Sequence, residues 1–309
     1  MRLSFSVFAL LVIAVTPVGA DEEMHLPLDA GGDRAPAYLI QVPDSVDGVL
    51  IANAAASELV HVANDASTYP VVSRRYMSVG TRGVGKQRSG DRKTPLGIYF
   101  MTEELDTRRM DPKYGAAAFV LDYPNAWDRR QARTGHGIWL HGVHPATPVR
   151  PPLDTDGCLA LPNAELLSLK PNLVMHSMPV IVARRMEWSS HERIAELRLA
   201  LADAVEGWRM SLEDGDLHAH LAHYHSDFVA RGMSKPEWAR FRAASLSANP
   251  VTNVDVDELM LLRDPEDPTL YLARFRQTLV SDSGSVSLTK RLYWRQEDSG
   301  FHVIAEDAG

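Results

Sequence analysis

Gly135 to Ala160, GHGIWLHGVHPATPVRPPLDTDGCLA, limits what this chain can fold into more than any other stretch. Four prolines stand between Gly142 and Thr155, so that segment is no helix and must be an ordered loop able to fold back on itself. Before the loop, Ile138 and Leu140 alternate with Trp139 and His141. This is a strand pattern that sets Trp139 and His141 on one face and His136 on the other. After the loop comes Cys158, the only cysteine, directly behind Gly157. A loop that returns to its own strand brings the Cys158 thiol beside the His141 imidazole. Only the thiolate attacks, and a neighbouring imidazole lowers a thiol pKa by several units. The expectation is a Cys158 nucleophile with His141 as its base. Gly157 carries no side chain beside the sulfur, so the amides of Gly157 and Cys158 are the candidate oxyanion donors. A helix over PNAELLSL, Pro162 to Leu169, would add free N–H groups close behind the cysteine.

The bland readings are a buried inert thiol, plain turns at the glycines, and a zinc set of His141, His144 and Cys158. The zinc reading lacks a convincing fourth ligand. Asp156 either raises the thiol pKa or points away, to pair with Arg150 or a substrate ammonium. His136 reads as structural. The segment Arg82 to Lys93 carries five basic residues against Asp91 alone and reads as a solvated basic loop, or as a rim that attracts carboxylates.

Taken together, His141-Gly142 followed by Thr155-Asp156-Gly157-Cys158 resembles the signature of YkuD-type L,D-transpeptidases, which act on peptidoglycan stem peptides. A second patch, Ser78-Val79-Gly80 and then Gly90-Asp91-Arg92-Lys93-Thr94-Pro95-Leu96-Gly97-Ile98-Tyr99, resembles the family's upstream segment in the expected order. The chain departs from the pattern at Asp156, where many members carry a histidine, a place that also varies in L,D-carboxypeptidases of helical bacteria. The resemblance implies that the Gly142 carbonyl orients His141, and it implies neither cofactor nor metal. It leaves Trp139, His144, Arg150, Asp156 and Arg92 as candidate substrate contacts.

The 309 residues suffice for two domains, and 45% hydrophobic with 23% charged residues is the composition of a globular chain. Residues 1–20 hold Arg2, an apolar run from Phe5 to Val15, and Val18-Gly19-Ala20, the pattern of a secretory signal peptide cleaved after Ala20. The run is shorter than the roughly 18–20 residues that span a bilayer, and no later segment spans one. The formal charge is −8, or −9 without Arg2, which argues against non-specific nucleic-acid binding. The expected address is the periplasm.

Residues 21–36 read as a mobile lead-in and 37–185 as a strand-dominated catalytic domain, a β-sandwich or closed sheet. From Glu192 the pattern turns helical, with Ile194, Leu197, Leu201, Val205 and Trp208, then a second stripe of Leu217, Leu221, Tyr224 and Phe228. Within that stripe most of His218, His220, His223 and His225 are read as a solvated face, with metal or carboxylate binding as the alternative. The capping box Ser234-Lys235-Pro236-Glu237 opens a third helix, and strands follow from Val251. Residues 192–309 therefore read as α+β and resemble the nuclear-transport-factor-2-like cone, as a substrate-positioning or protein-partner module. The whole chain is expected to be a periplasmic cysteine acyltransferase on stem peptides. Its acyl-enzyme passes to an amine (transpeptidase) or to water (L,D-carboxypeptidase), with a non-catalytic wall-binding scaffold as the reading from another class.

Overall fold

The strands Gly48–Asn53 and Pro179–Ala183 bury every residue, and Gly97–Leu105 buries its first five. Strands covered on both faces belong at the middle of a sheet. The computed structural model, which describes residues 34–65 and 68–308, places them there. The signal-peptide reading falls on residues outside that range. The sheet has eight strands in the order Leu159–Ala160, Trp139–His141, Ala118–Leu121, Gly97–Leu105, Pro179–Ala183, Gly48–Asn53, Glu58–Ala63 and Val71–Tyr76. Two neighbour pairs are parallel, Leu159–Ala160 with Trp139–His141 and Pro179–Ala183 with Gly48–Asn53.

Alternation along the central strands sorts their side chains into two cores. Leu50, Ala52, Tyr99, Met101, Val180 and Val182 face a core shared with Leu140, Leu159, Leu166 and Leu169. Val49, Ile51, Ile98, Phe100 and Ile181 face the other way and pack with Leu262, Leu272, Tyr293 and Ile304. The second core is thus shared between the eight-stranded sheet and the C-terminal domain. That domain stacks the helices His191–Glu213, Leu217–Ala222 and Lys235–Ala248 on a seven-stranded sheet. Its long strands are Val251–Arg263, Leu270–Ser281, Gly284–Glu297 and Gly300–Ala308.

Three sequence expectations are corrected here. Leu39–Gln41, read as part of the first domain, is the edge strand of the C-terminal sheet, with Leu39 opposite Leu262 and Gln41 opposite Leu261. Its side chains serve both domains: Leu39 enters the shared core and Ile40 the core of the second domain. The second apolar stripe is not one helix. The helix stops at Ala222, and Tyr224–Ala230 is a strand that buries Tyr224, Phe228 and Ala230. A spacing of four is two strand repeats as well as about one helical turn, so Tyr224 and Phe228 fit either period. Finally, the His220 side chain is not solvated. It is completely buried, bonded to the Ser211 hydroxyl at 3.1 Å and the Tyr224 hydroxyl at 3.3 Å, and burial lowers its pKa to about 3.

The two domains are also tied by charge. Arg291, 8% exposed, bonds Asp122 at 2.5 Å and lies 3.3 Å from Asp307. Arg133 bridges Asp128 at 3.2 Å and Glu266 at 2.9 Å, and Trp127 stacks on Tyr293.

Candidate active site

The parallel pairing at the sheet edge determines where thiol and imidazole stand. Ala160 lies opposite His141 and Leu159 opposite Leu140, so Cys158 arrives at the edge one residue before its strand begins. Cys158 and His141 line one cleft of about 440 Å³, together with Lys113, Tyr114, His136, Arg150, Asp154 and Asp156 among others. The proline-rich segment is the loop that makes this return. Leu153–Thr155 pairs in parallel with Val79–Gly80, which draws the second sequence patch against the first.

His141 is 3% exposed. Its Nδ1 is 2.5 Å from the Gly142 carbonyl oxygen. A carbonyl only accepts, so Nδ1 carries the proton and Nε2 keeps its lone pair. Burial lowers the His141 pKa to about 4, against the opposing effect of the Gly142 bond. The imidazole is therefore neutral and able to take a proton at pH 7. Tyr114 sets its ring edge-on to His141, with centroids 5.3 Å apart, and tilted on Trp139 at 4.8 Å. Trp139 and His141 thus share the face that their spacing predicts.

The thiol differs from expectation. Cys158 is 8% exposed, and burial pushes its pKa up to about 11. The Trp139 N–H, Lys113 and Arg150 favour the thiolate, and Asp156 opposes it. Desolvation outweighs these, so the resting site holds a thiol and a neutral imidazole rather than an ion pair. Sγ donates to the Gly137 carbonyl at 3.5 Å.

The oxyanion pair is also changed. The Gly157 amide donates to Thr155 Oγ1 at 3.1 Å, and that hydroxyl donates to the Cys158 carbonyl at 2.8 Å. Of the two amides, that of Cys158 has no hydrogen-bond partner among the described residues. Gly157 is required where it stands. Its φ is +130°, and a Cβ there would lie 2.8 Å from the Lys93 carbonyl oxygen. The expected helix starts at Asn163, after the strand Leu159–Ala160, so its amides do not begin at the cysteine.

The remaining candidates separate into cleft and rim. Arg150 lines the cleft but pairs with Asp154 at 2.9 Å rather than with Asp156. Asp156 stands at the mouth of the cleft, 3.8 Å from Arg92, both side chains well exposed. His144 is exposed, with Nδ1 accepting from the Ala146 N–H. Among the described residues no three His, Cys, Asp or Glu side chains stand together as a metal site, so His141, His144 and Cys158 do not converge. His136 lines the cleft despite its even position. Gly135 and Gly137 take φ of +112° and +73°, which breaks the alternation before the strand begins at Trp139. The basic loop is not simply solvated either. Lys86 is 3% exposed, with Nζ 2.8 Å from Asp91. Lys113 and Tyr114 had no sequence signal beyond a charged segment. They sit in a short 3-10 turn, Pro112–Tyr114, whose Asp111 cap bonds the Lys113 N–H.

Residues 47–182 match the YkuD family, the L,D-transpeptidase catalytic domain. The chain carries a YkuD catalytic domain. Residues 200–307 match the Cds6 C-terminal NTF2-like domain, which completes the two-domain arrangement. Among solved structures, Bd1075 of Bdellovibrio bacteriovorus is 23% identical with a TM-score of 0.74, covering 90% of this chain and 98% of that one. The helical cell shape determining protein Pgp2 of Campylobacter jejuni is 22% identical with a TM-score of 0.74, covering 88% and 95%. These likenesses show that the fold extends over both domains. No curated protein matches the sequence. No helix among the described residues is long and apolar enough to cross a membrane.

The YkuD domain leaves no room at Gly142. A Cβ there would lie 2.2 Å from Asn163 Oδ1 and 2.9 Å from the Ala116 amide nitrogen. Gly142→Ala is expected to cost about 1–3 kcal/mol of stability, as overpacking does, and to displace the carbonyl that holds His141. Urea unfolding, with activity measured on the folded fraction, checks both effects.

Proposed function

We propose that this chain is an exported cysteine acyltransferase of peptidoglycan stem peptides. Cys158 attacks the carbonyl of the L,D-peptide bond before the terminal D-alanine of a tetrapeptide. His141 Nε2 takes the thiol proton as the sulfur–carbon bond forms and returns it to the leaving D-alanine amine. The Cys158 amide donates to the developing oxyanion. The thioester is then resolved by an amine, giving a cross-link, or by water, giving a tripeptide. The observation that carries this reading is the neutral His141, with Nδ1 spent on the Gly142 carbonyl and a free Nε2, in the cleft that also holds the only thiol.

The peptide's carboxylates suit Lys113 and Arg150, and its ammonium suits Asp154 and Asp156 at the mouth. Trimming by water is the second reading, since Asp156 stands where L,D-carboxypeptidases of helical bacteria also vary. The address, the periplasm, rests on the signal-peptide pattern of residues 1–20. The NTF2-like domain would position substrate or a protein partner.

The test is incubation of purified tetrapeptide muropeptides with the protein, with products resolved by mass. Dimers or D-amino-acid exchange establish transpeptidation, and tripeptide alone establishes carboxypeptidation. If no product forms, the acyltransferase reading fails.

The resting pair also predicts a pH profile. At rest the thiol holds the proton that His141 passes to the leaving amine, so kcat/KM is expected to fall below about pH 4 as His141 protonates and above about pH 11, where ionised Cys158 still attacks but no proton remains for the leaving amine. The kcat/KM profile is expected to show no inflection near 6.5 from this histidine. Alkylation by iodoacetamide should accelerate about tenfold per pH unit between 7 and 9, because the thiolate fraction is still rising.

A further inference from the structure

We infer that Asn163 is a positioning residue for His141, acting through a single peptide plane; the inference rests on the proposed use of His141 as base. The plane is the Gly142–Val143 peptide. At one end its carbonyl oxygen accepts from His141 Nδ1 at 2.5 Å. At the other its N–H, that of Val143, donates to Asn163 Oδ1 at 3.1 Å. A peptide unit is rigid, so fixing the N–H end fixes the direction of the carbonyl. Asn163 Nδ2 closes the clasp by donating to the Val143 carbonyl at 2.8 Å.

The same Oδ1 accepts from the Ala116 N–H at 2.9 Å. Ala116 follows Tyr114 by two residues, and Tyr114 packs against the imidazole edge. One side-chain amide therefore holds both supports of the ring: the carbonyl that selects its tautomer and the segment carrying the aromatic beside it. The space around the amide is fully used. A Cβ on Gly115 or on Gly142 would lie 2.2 Å from its Oδ1. Asn163 is also the first residue of the helix Asn163–Leu169, whose Leu166 and Leu169 are buried in the core beneath the site, so the clasp is mounted on an anchored element. An aspartate would keep both acceptor bonds, lose the donor to Val143, and place a negative charge two hydrogen bonds from the imidazole.

The test uses the full chain, uniformly labelled with ¹⁵N, as wild type, Asn163→Ala and Asn163→Asp. Ring ¹⁵N shifts of His141 report the tautomer without any substrate, so the inference can fail separately from the acyltransferase reading. In wild type Nδ1 is expected to be protonated and Nε2 bare. Asn163→Ala is expected to mix the tautomers and to lower kcat about 10- to 100-fold with KM within about twofold, as expected for a misplaced base. Asn163→Asp, with its acceptor bonds kept, is expected to retain the wild-type tautomer. It should also recover most of kcat, and the nearby charge should raise the pH of the acid limb. An unchanged His141 tautomer in Asn163→Ala would overturn the inference, whatever happens to activity. So would a kcat loss equal to the unfolded fraction in both variants.

Discussion

Cys158→Ala is expected to leave a folded protein that forms no product from tetrapeptides, a loss of at least about 10³-fold in turnover, as follows from removing a nucleophile. The sulfur is a single atom at the sheet edge beside a cleft, so its removal should cost only about 1 kcal/mol of stability. His141 keeps its supports in the variant, because the Gly142 carbonyl and Tyr114 do not depend on the thiol. The variant should therefore show the same His141 tautomer and nearly the same unfolding midpoint as wild type. Residual activity above about one part in 10³ would mean that another group attacks, and the thioester mechanism would be abandoned. Cys158→Ser offers a stricter comparison. It keeps the shape but supplies a hydroxyl that a neutral imidazole in this cleft activates poorly, so it too should be inactive.

The second large effect lies where the two domains meet. Arg291→Met should destabilise the protein by about 3 kcal/mol, because it leaves the largely enclosed Asp122 without its cation and Asp307 with Arg129 alone, 3.5 Å away. The methionine keeps apolar contact with Phe100, against which the guanidinium now lies at 5.4 Å, so lost packing is a minor part of the change. Asp122 cannot simply turn to water, since its other oxygen accepts from the Phe100 N–H at 2.8 Å. Adding Asp122→Asn should recover part of the loss, the sign of a coupled pair. Equilibrium urea unfolding of the single and double variants measures both quantities. A cost below about 1 kcal/mol for Arg291→Met would show the cluster to be solvated in practice. Because this cluster and the shared apolar core join the two domains, wild type is expected to unfold as one cooperative unit.

Much of this protein is written locally along the chain. The strand alternation of Ile138 to His141, the prolines of the return loop and the lone thiol after Gly157 predicted a cysteine and a histidine lining one site, and both line the cleft. The change of period near Glu192 marked where the NTF2-like domain begins its first helix. These features are legible because periodicity, proline geometry and residue chemistry act over a few neighbouring residues.

Other features belong to the assembled structure. Leu39–Gln41 reads as a strand in any frame, but its partner, Val251–Arg263, lies more than two hundred residues away. Tyr224 and Phe228 satisfy both periods, and only pairing with Gly300–Ala308 selects the strand. In the sequence His220 reads as a surface residue, and only the folded chain brings the buried Ser211 and Tyr224 to it. The thiol pKa is the plainest case. Which groups line the cleft is legible in the chain, since their identity and the loop between them are local. Tertiary structure decided their charge, because desolvation is the sum of everything packed around a group and no neighbour in the chain carries that sum.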